Sequence, residues 1–156
     1  SLDSTVPHGW SYYWKSTHLP DLSDALIDVI AEHAFAAGSP RSYVAMFHLG
    51  GALRRVAEAA TAFGNRGASH AITLDGVWRP GEGHAEHDSA WARQFFSALE
   101  GFSQGVYVNF LGADEQPERI REAYGDEIHE RLRDVKTEYD ADNVFRNNQN
   151  IQPRSG

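Results

Sequence analysis

Apolar and polar positions change their period several times along the chain, and each change marks an element. From Trp10 to Thr17 (WSYYWKST) aromatic and β-favouring residues follow a Pro7-His8-Gly9 break, which predicts a strand. Alternation there puts Tyr13 and Lys15 on one face and Tyr12 and Trp14 on the other. From Leu22 to Ala37 the residues Leu22, Leu26, Val29, Ile30 and Ala37 recur at helical spacing. Ser23 supplies an N-cap, and Gly38 is expected as a left-handed stop, with Pro40 beyond it. Tyr43 to Leu49 (YVAMFHL) is apolar on both faces, as a strand covered on two sides would be, and His48 interrupts it. Arg54 to Asn65 is Ala-rich and reads as an irregular crossing anchored by Ala62 and Phe63. Ser69 to Trp78 returns to strand character with Ile72 and Leu74 on one face, closed by Arg79-Pro80-Gly81. Trp91, Phe95 or Phe96, Ala98 and Leu99 then mark a second core helix over Ala90 to Leu99.

The last third begins with a β-type run, Val106 to Phe110, ending in a Leu111-Gly112 turn. Pro117 opens a helical pattern with Ile120 and Ala123 inward and Gly125 as its stop. Ile128, Leu132 and Val135 stripe a second helix over Glu127 to Glu138. Asp140-x-Asp142-Asn143 predicts a turn whose Asx side chains bond to the local backbone, followed by the polar run Arg146 to Asn150. The order β-α-β-β-α-β implies an α+β fold of ferredoxin-like order, a mainly antiparallel sheet with its helices on one face, plus a C-terminal helical tail. Residues 1–112 are expected to form the α+β domain portion and 113–156 the helices and tail. If both faces of Tyr43 to Leu49 are apolar, something outside the chain is expected to cover the face that the helices leave.

Composition narrows the function classes. A chain of 156 residues can bury one real core. A net charge of −8 argues against nucleic acid or an anionic membrane as partner. With no cysteine, disulfides, thiolate metal sites and a cysteine nucleophile are excluded. The sequence has no apolar run of transmembrane length and no signal-like segment, so a soluble, cytoplasmic protein is expected. Its Ser-Leu-Asp-Ser start reads as the interior of something longer. His84-x-x-His87 with Glu86 and Asp88 has zinc-site residue types but lacks further ligands, and no metal is expected. Those acids suit the positive end of a helix dipole instead. Gly81-x-Gly83 lacks the third glycine of a dinucleotide loop. Lys15, in an aromatic strand, and His48, in an apolar one, are candidates for facing a cleft; each also has a plain structural reading.

The C-terminal string resembles the ending of the berberine bridge enzyme-like family of FAD-linked oxidases. The matching residues are Tyr107/Asn109, Tyr124-Gly125, Arg131 to Lys136, Asp140 to Phe145 and Gln149 to Ile151. The resemblance implies the substrate-domain and C-terminal portion of an FAD-dependent oxidoreductase. Such an enzyme would oxidise a small organic substrate by hydride transfer to flavin N5, with oxygen as acceptor. FAD would be held mainly by a missing N-terminal FAD domain, the implied partner, and this piece alone would be inactive. By resemblance Tyr107, Asn109, Asn147 and Gln149 lie near the cofactor, while Phe110 and Tyr13 are expected to line the substrate. Phe110 stands where many members carry a tyrosine implicated as the base, and a phenyl ring takes no proton. The base is then Tyr107, Lys15 or His48, or a residue of the missing part, or the substrate needs none. A regular strand would also turn Phe110 away from Tyr107 and Asn109, so a bend is required to bring them to one site. The rival reading is a non-catalytic α+β ligand-binding or interaction module. An oxidase portion should present a large aromatic face and an exposed Asn/Gln tail; a module should close its core on both faces.

Overall fold

The computed structural model describes residues 7–112 and 116–154. Three strands, β1 (Ser11–Leu19), β2 (Tyr43–His48) and β3 (His70–Trp78), form an antiparallel sheet in the order β1-β3-β2. The helices are α1 (Asp24–His33), α2 (Ala52–Arg55), α3 (Ala85–Leu99), α4 (Pro117–Tyr124) and α5 (Asp126–Tyr139). α3 lies across β1 and β3, and α1 packs on α3. The fold is α+β with an antiparallel sheet and its packed helices on one face, as the residue pattern indicates.

The core sits between α3 and the sheet. Leu19, Leu26, Ile72, Leu74, Trp91, Ala92, Phe95 and Leu99 form one buried cluster. Each large apolar side chain buried there contributes about 1.5–3 kcal/mol relative to exposure. Ser23 caps α1 by accepting from the Leu26 backbone N–H at 3.3 Å. A second, smaller cluster of Val106, Leu111 and Ala123, with Val108 and Ile120 against it, seats α4 beside the main body. Arg119 reinforces this contact by donating to the Ser16 carbonyl at 3.3 Å.

Several elements differ from their sequence expectations. The β-type run at Val106–Phe110 is not a strand. The preceding residues make a strand-like contact with β1: Gln104 N–H donates to the His18 carbonyl, and His18 N–H to the Gly105 carbonyl, both at 2.8 Å. Gly105 then takes φ +85, a conformation that favours glycine, and turns the chain off the sheet edge. A 3-10 turn over Val108–Phe110 follows. β2, expected to be covered on two sides, is an edge strand whose Met46, Phe47 and His48 are exposed; the central, buried strand is β3.

Gly38 does not end a helix, because α1 stops at His33 and Gly38 keeps a negative-side φ. Its missing side chain has another use: a Cβ there would lie 2.7 Å from the His87 ring and 3.0 Å from Asp88. Asp88 is fully buried and accepts from Gly38 N–H at 2.7 Å, Ser39 N–H at 3.1 Å and Ser42 Oγ at 2.7 Å. One carboxylate therefore locks the 38–42 loop onto α3. The expected boundary between 112 and 113 adjoins residues 113–115, which lie outside the described residues.

Candidate functional site

Strand register divides the sheet into two unlike faces. Side chains directly opposite across antiparallel strands share a face. The side without α3 therefore carries the cross-sheet rows Trp14–Asp75–Tyr43, Ser16–Thr73–Ala45 and His18–Ala71–Phe47, with Tyr12 beside Val77. Trp14 and Phe47 remain 36 % and 48 % exposed, although each is large and apolar enough to be core.

The 3-10 turn after Gly105 folds over this face. Three residues per turn place positions i and i+3 on one side, so Tyr107 and Phe110 come together despite their odd spacing. Their rings meet edge-on at 5.3 Å. Phe110 also stacks with Phe47 at 6.3 Å, Tyr107 lies 5.6 Å from Phe63, and Phe63 lies 6.2 Å from His18. These rings form a continuous aromatic ridge from β2 to β1. Trp14 Nε1–H donates to the Phe110 carbonyl at 2.9 Å, fixing the turn to the sheet. Asn109 Nδ2 donates to the Tyr107 hydroxyl at 2.7 Å, which orients that phenol. Asn65, at φ 61, packs its side chain where a Gly105 Cβ would stand and donates to the Glu122 and Ala123 carbonyls, so the loop carrying Phe63 is tied to α4.

The polar groups of this face have shifted proton affinities. Burial pushes the Asp75 carboxyl up, partly offset by the Thr73 hydroxyl that donates to its Oδ2 at 2.6 Å. Burial also raises the Tyr43 phenol, helped by Asp75 and then Tyr12. His18 is buried, and its desolvation lowers it to about 4, so the ring is neutral near pH 7. Among the described residues its Nδ1 has no hydrogen-bond partner.

Candidates named from the sequence fall into four places. Tyr107 and Phe110 stand on the aromatic ridge, with Asn109 bonded to Tyr107. Tyr13 and Lys15 lie on the opposite, α3-packed face: Arg93 of α3 covers the Tyr13 ring at 5.2 Å, and the Lys15 ammonium lies 5.7 Å from the same ring. His48 is at the exposed end of β2, its ring 5.2 Å from that of His70. On the tail, Asn147 is exposed, while Gln149 Nε2 donates to the Leu111 carbonyl at 2.9 Å. The Asp140 turn forms as the residues suggest: its carboxylate accepts from Val144 N–H at 2.7 Å and Phe145 N–H at 3.0 Å. Lys136 reaches both the Asp140 carboxylate and the Phe145 carbonyl. This leaves Val144 and Phe145 prominently exposed.

Sequence reasoning missed His18, Thr73 and Asp75. The available signal was parity: after His70 at its start, the polar positions of β3 are Thr73 and Asp75, and the two share one face of it. Among the described residues, no group of three or more His, Asp or Glu side chains is arranged to hold a metal, and no helix is long and apolar enough to cross a membrane.

Residues 106–152 match the family described as Berberine and berberine like. The chain is 36% identical over 133 residues to an uncharacterized FAD-linked oxidoreductase, YgaK, of Bacillus subtilis, covering 85% of this chain and 29% of that protein. It is 27% identical over 154 residues to an FAD-linked oxidoreductase of Dictyostelium discoideum, covering 97% and 33%. The chain thus spans about a third of the length of these relatives. In fold it is similar to berberine bridge enzyme from Eschscholzia californica, with a TM-score of 0.80 at 20% identity, covering 94% of this chain and 34% of that one.

Proposed function

We propose, from the premise that this chain belongs with the berberine bridge enzyme-like FAD-linked oxidases, that it supplies the substrate face of an FAD-dependent oxidoreductase. The enzyme would oxidise a small organic molecule by hydride transfer to the flavin, with oxygen as final acceptor. The observation that carries the reading is the aromatic ridge of Phe47, Phe110, Tyr107 and Phe63 on the sheet face away from α3. A monomeric domain gains stability by burying such rings, so leaving them open favours a partner surface or a ligand. A flat, largely apolar ring system fits against this face, with Asn109 and the Tyr107 hydroxyl as polar contacts at its rim.

In this reading most of the FAD is held by a portion of the enzyme outside this chain. The chain's own residues bind and orient. Trp14, Phe47 and Phe110 enclose the substrate and exclude water. Tyr107 and Asn109 face the ring system, and the exposed Asn147, with Gln149 bracing the tail through Leu111, offers amide contacts to its polar edge. FAD, when bound, supplies the electron-accepting chemistry. Tyr13 and Lys15 take structural places beneath α3, and His48 lies at the rim. The chain alone would not turn over substrate. An interaction module closed on both faces fits less well, because Trp14 and Phe47 would then be buried.

The test is the visible spectrum of the protein produced from its complete reading frame, before and after acid precipitation. A band near 450 nm (approximate, set by the flavin itself) is expected; its retention in the pellet would reveal covalent attachment. A complete protein with no flavin band, even after incubation with FAD, would sink the oxidase reading.

A further inference from the structure

Two imidazoles close one end of the sheet on its α3 side. His48 ends β2 and His70 opens β3, and the register makes them direct cross-strand partners in the row Leu19–His70–His48. Side chains so opposed share a face and stand within reach of each other. The two ring centres are 5.2 Å apart, edge to face. His48 is exposed and His70 half-buried, so the pair is open to solvent. Neighbouring residues hold it in place. Ser69 Oγ lies 2.8 Å from His70 Nδ1; when that nitrogen donates its proton to the hydroxyl, Nε2 carries the free lone pair. Gly50 leaves room for the His48 ring, because a Cβ there would come 2.6 Å from its Cε1. Leu49 N–H donates to the Ser69 carbonyl at 2.7 Å, which pins the two strands just beyond the pair.

We propose that His48 and His70 form a chelating site for a divalent transition-metal ion, zinc or copper in kind, which staples the edge strand β2 to the central strand β3. The inference does not rest on the flavin reading. Neutral imidazole is a ligand these ions favour, whereas Mg²⁺ and Ca²⁺ select oxygen. A tetrahedral ion about 2.0–2.1 Å from each ligating nitrogen would hold two imidazole centres about 5 Å apart, the spacing the strands already impose. Ser69 serves as the outer partner that fixes the tautomer and orientation of His70. Among the described residues no third His, Asp or Glu stands with the pair. Water therefore completes the shell, and the ion is exchangeable, unlike one held by three or four protein ligands.

The alternative for the pair is a plain ring contact at a strand end, and metal linkage separates the two. An ion that binds both strands of the folded chain stabilises it in proportion to its occupancy. A ring contact gives no such dependence.

The experiment uses the complete protein, prepared without an affinity tag and freed of metal, so that its own histidines are read. Calorimetric titration with Zn²⁺ at neutral pH should show binding that weakens by at least about tenfold in His48→Gln and in His70→Gln, the scale of losses around metal ligands. His87→Gln, an exposed imidazole on α3, should leave it unchanged. Zn²⁺ should raise the thermal midpoint of the parent and not that of either pair variant, and Mg²⁺ should raise neither. Cu²⁺ added to the parent should give a paramagnetic resonance spectrum split by two imidazole nitrogens, a readout that needs no variant. No Zn²⁺ binding by the parent, or losses in the pair variants no larger than that in His87→Gln, would overturn the site. A loss in one pair variant alone, or a copper spectrum with fewer than two nitrogens, would overturn chelation. Binding without any rise in midpoint would overturn the staple.

Discussion

The two faces of one sheet are built on opposite principles. On the α3 side, Ile72 and Leu74 of β3 meet Phe95, Trp91 and Leu99, and the cluster excludes solvent almost completely. On the other side, Trp14, Phe47 and Phe110 carry comparable apolar bulk but remain partly or half exposed, around a carboxylate and two phenols. A closed face is selected for packing, where each methylene counts. An open aromatic face gains little for the fold and keeps its side chains available for a ligand. Stability and function should therefore separate cleanly between the faces.

The largest effect should come from the closed side. Phe95→Ala removes a side chain with no solvent exposure from the centre of the core and should cost about 3–5 kcal/mol in chemical denaturation. A loss below about 1 kcal/mol would erase the contrast. Asp88→Ala comes next. It leaves the Gly38 and Ser39 N–H groups and the Ser42 hydroxyl without their acceptor, a loss of about 2–3 kcal/mol on the scale of charged hydrogen bonds. Burial alone would raise this carboxyl, but bonds from Ser42, His87, Gly38 and Ser39 outweigh it and hold it below its usual range. A depressed acid stabilises above its unfolded pKa of about 4 and loses that stability as pH falls through the folded value. A denaturation series from pH 6 to pH 2 should show the decline in the parent and a shallower one in Asp88→Asn.

On the open side the balance reverses. Trp14→Ala should cost only about 1 kcal/mol, since the indole is partly exposed and gives up one hydrogen bond to Phe110. In the flavin-loaded protein it should nonetheless shift the visible flavin spectrum. A loss as large as that of Phe95→Ala would show that the two faces do the same work. The smallest stability change is expected at Phe145→Ser, within about 0.5 kcal/mol, because the ring is 80 % exposed. If the tail docks on the FAD-holding portion, the same change should release flavin more readily on dilution.

The helices α1, α3, α4 and α5, the strands β1 and β3, the Ser23 cap and the Asp140 turn were legible in the residues, because each depends on neighbours within one or two turns of chain; the short α2 was not. So was the family resemblance, carried by a compact run of residues between Tyr107 and Ile151. The candidate site was legible only in part. Tyr107, Asn109 and Phe110 could be named, yet a period-two reading set Phe110 apart from the other two. Lys15 stands out by its charge in an aromatic strand, whereas only strand parity marks the Thr73–Asp75 pair on the neighbouring strand.

What the sequence determined by itself was the local conformation and the kind of face each element would show. Which of those faces stayed open was settled by contacts between residues far apart in the chain. The 50-residue span from Gly38 to Asp88 made an apparent helix stop into a close packing site. The span from Trp14 to Phe110 brought a turn onto a strand that precedes it by 96 positions. Gly105 decided the rest: its left-handed backbone turned a predicted strand into a 3-10 turn, and three residues per turn placed Tyr107 and Phe110 together. Periodicity reports only on neighbours, whereas a site is assembled across the register of the sheet.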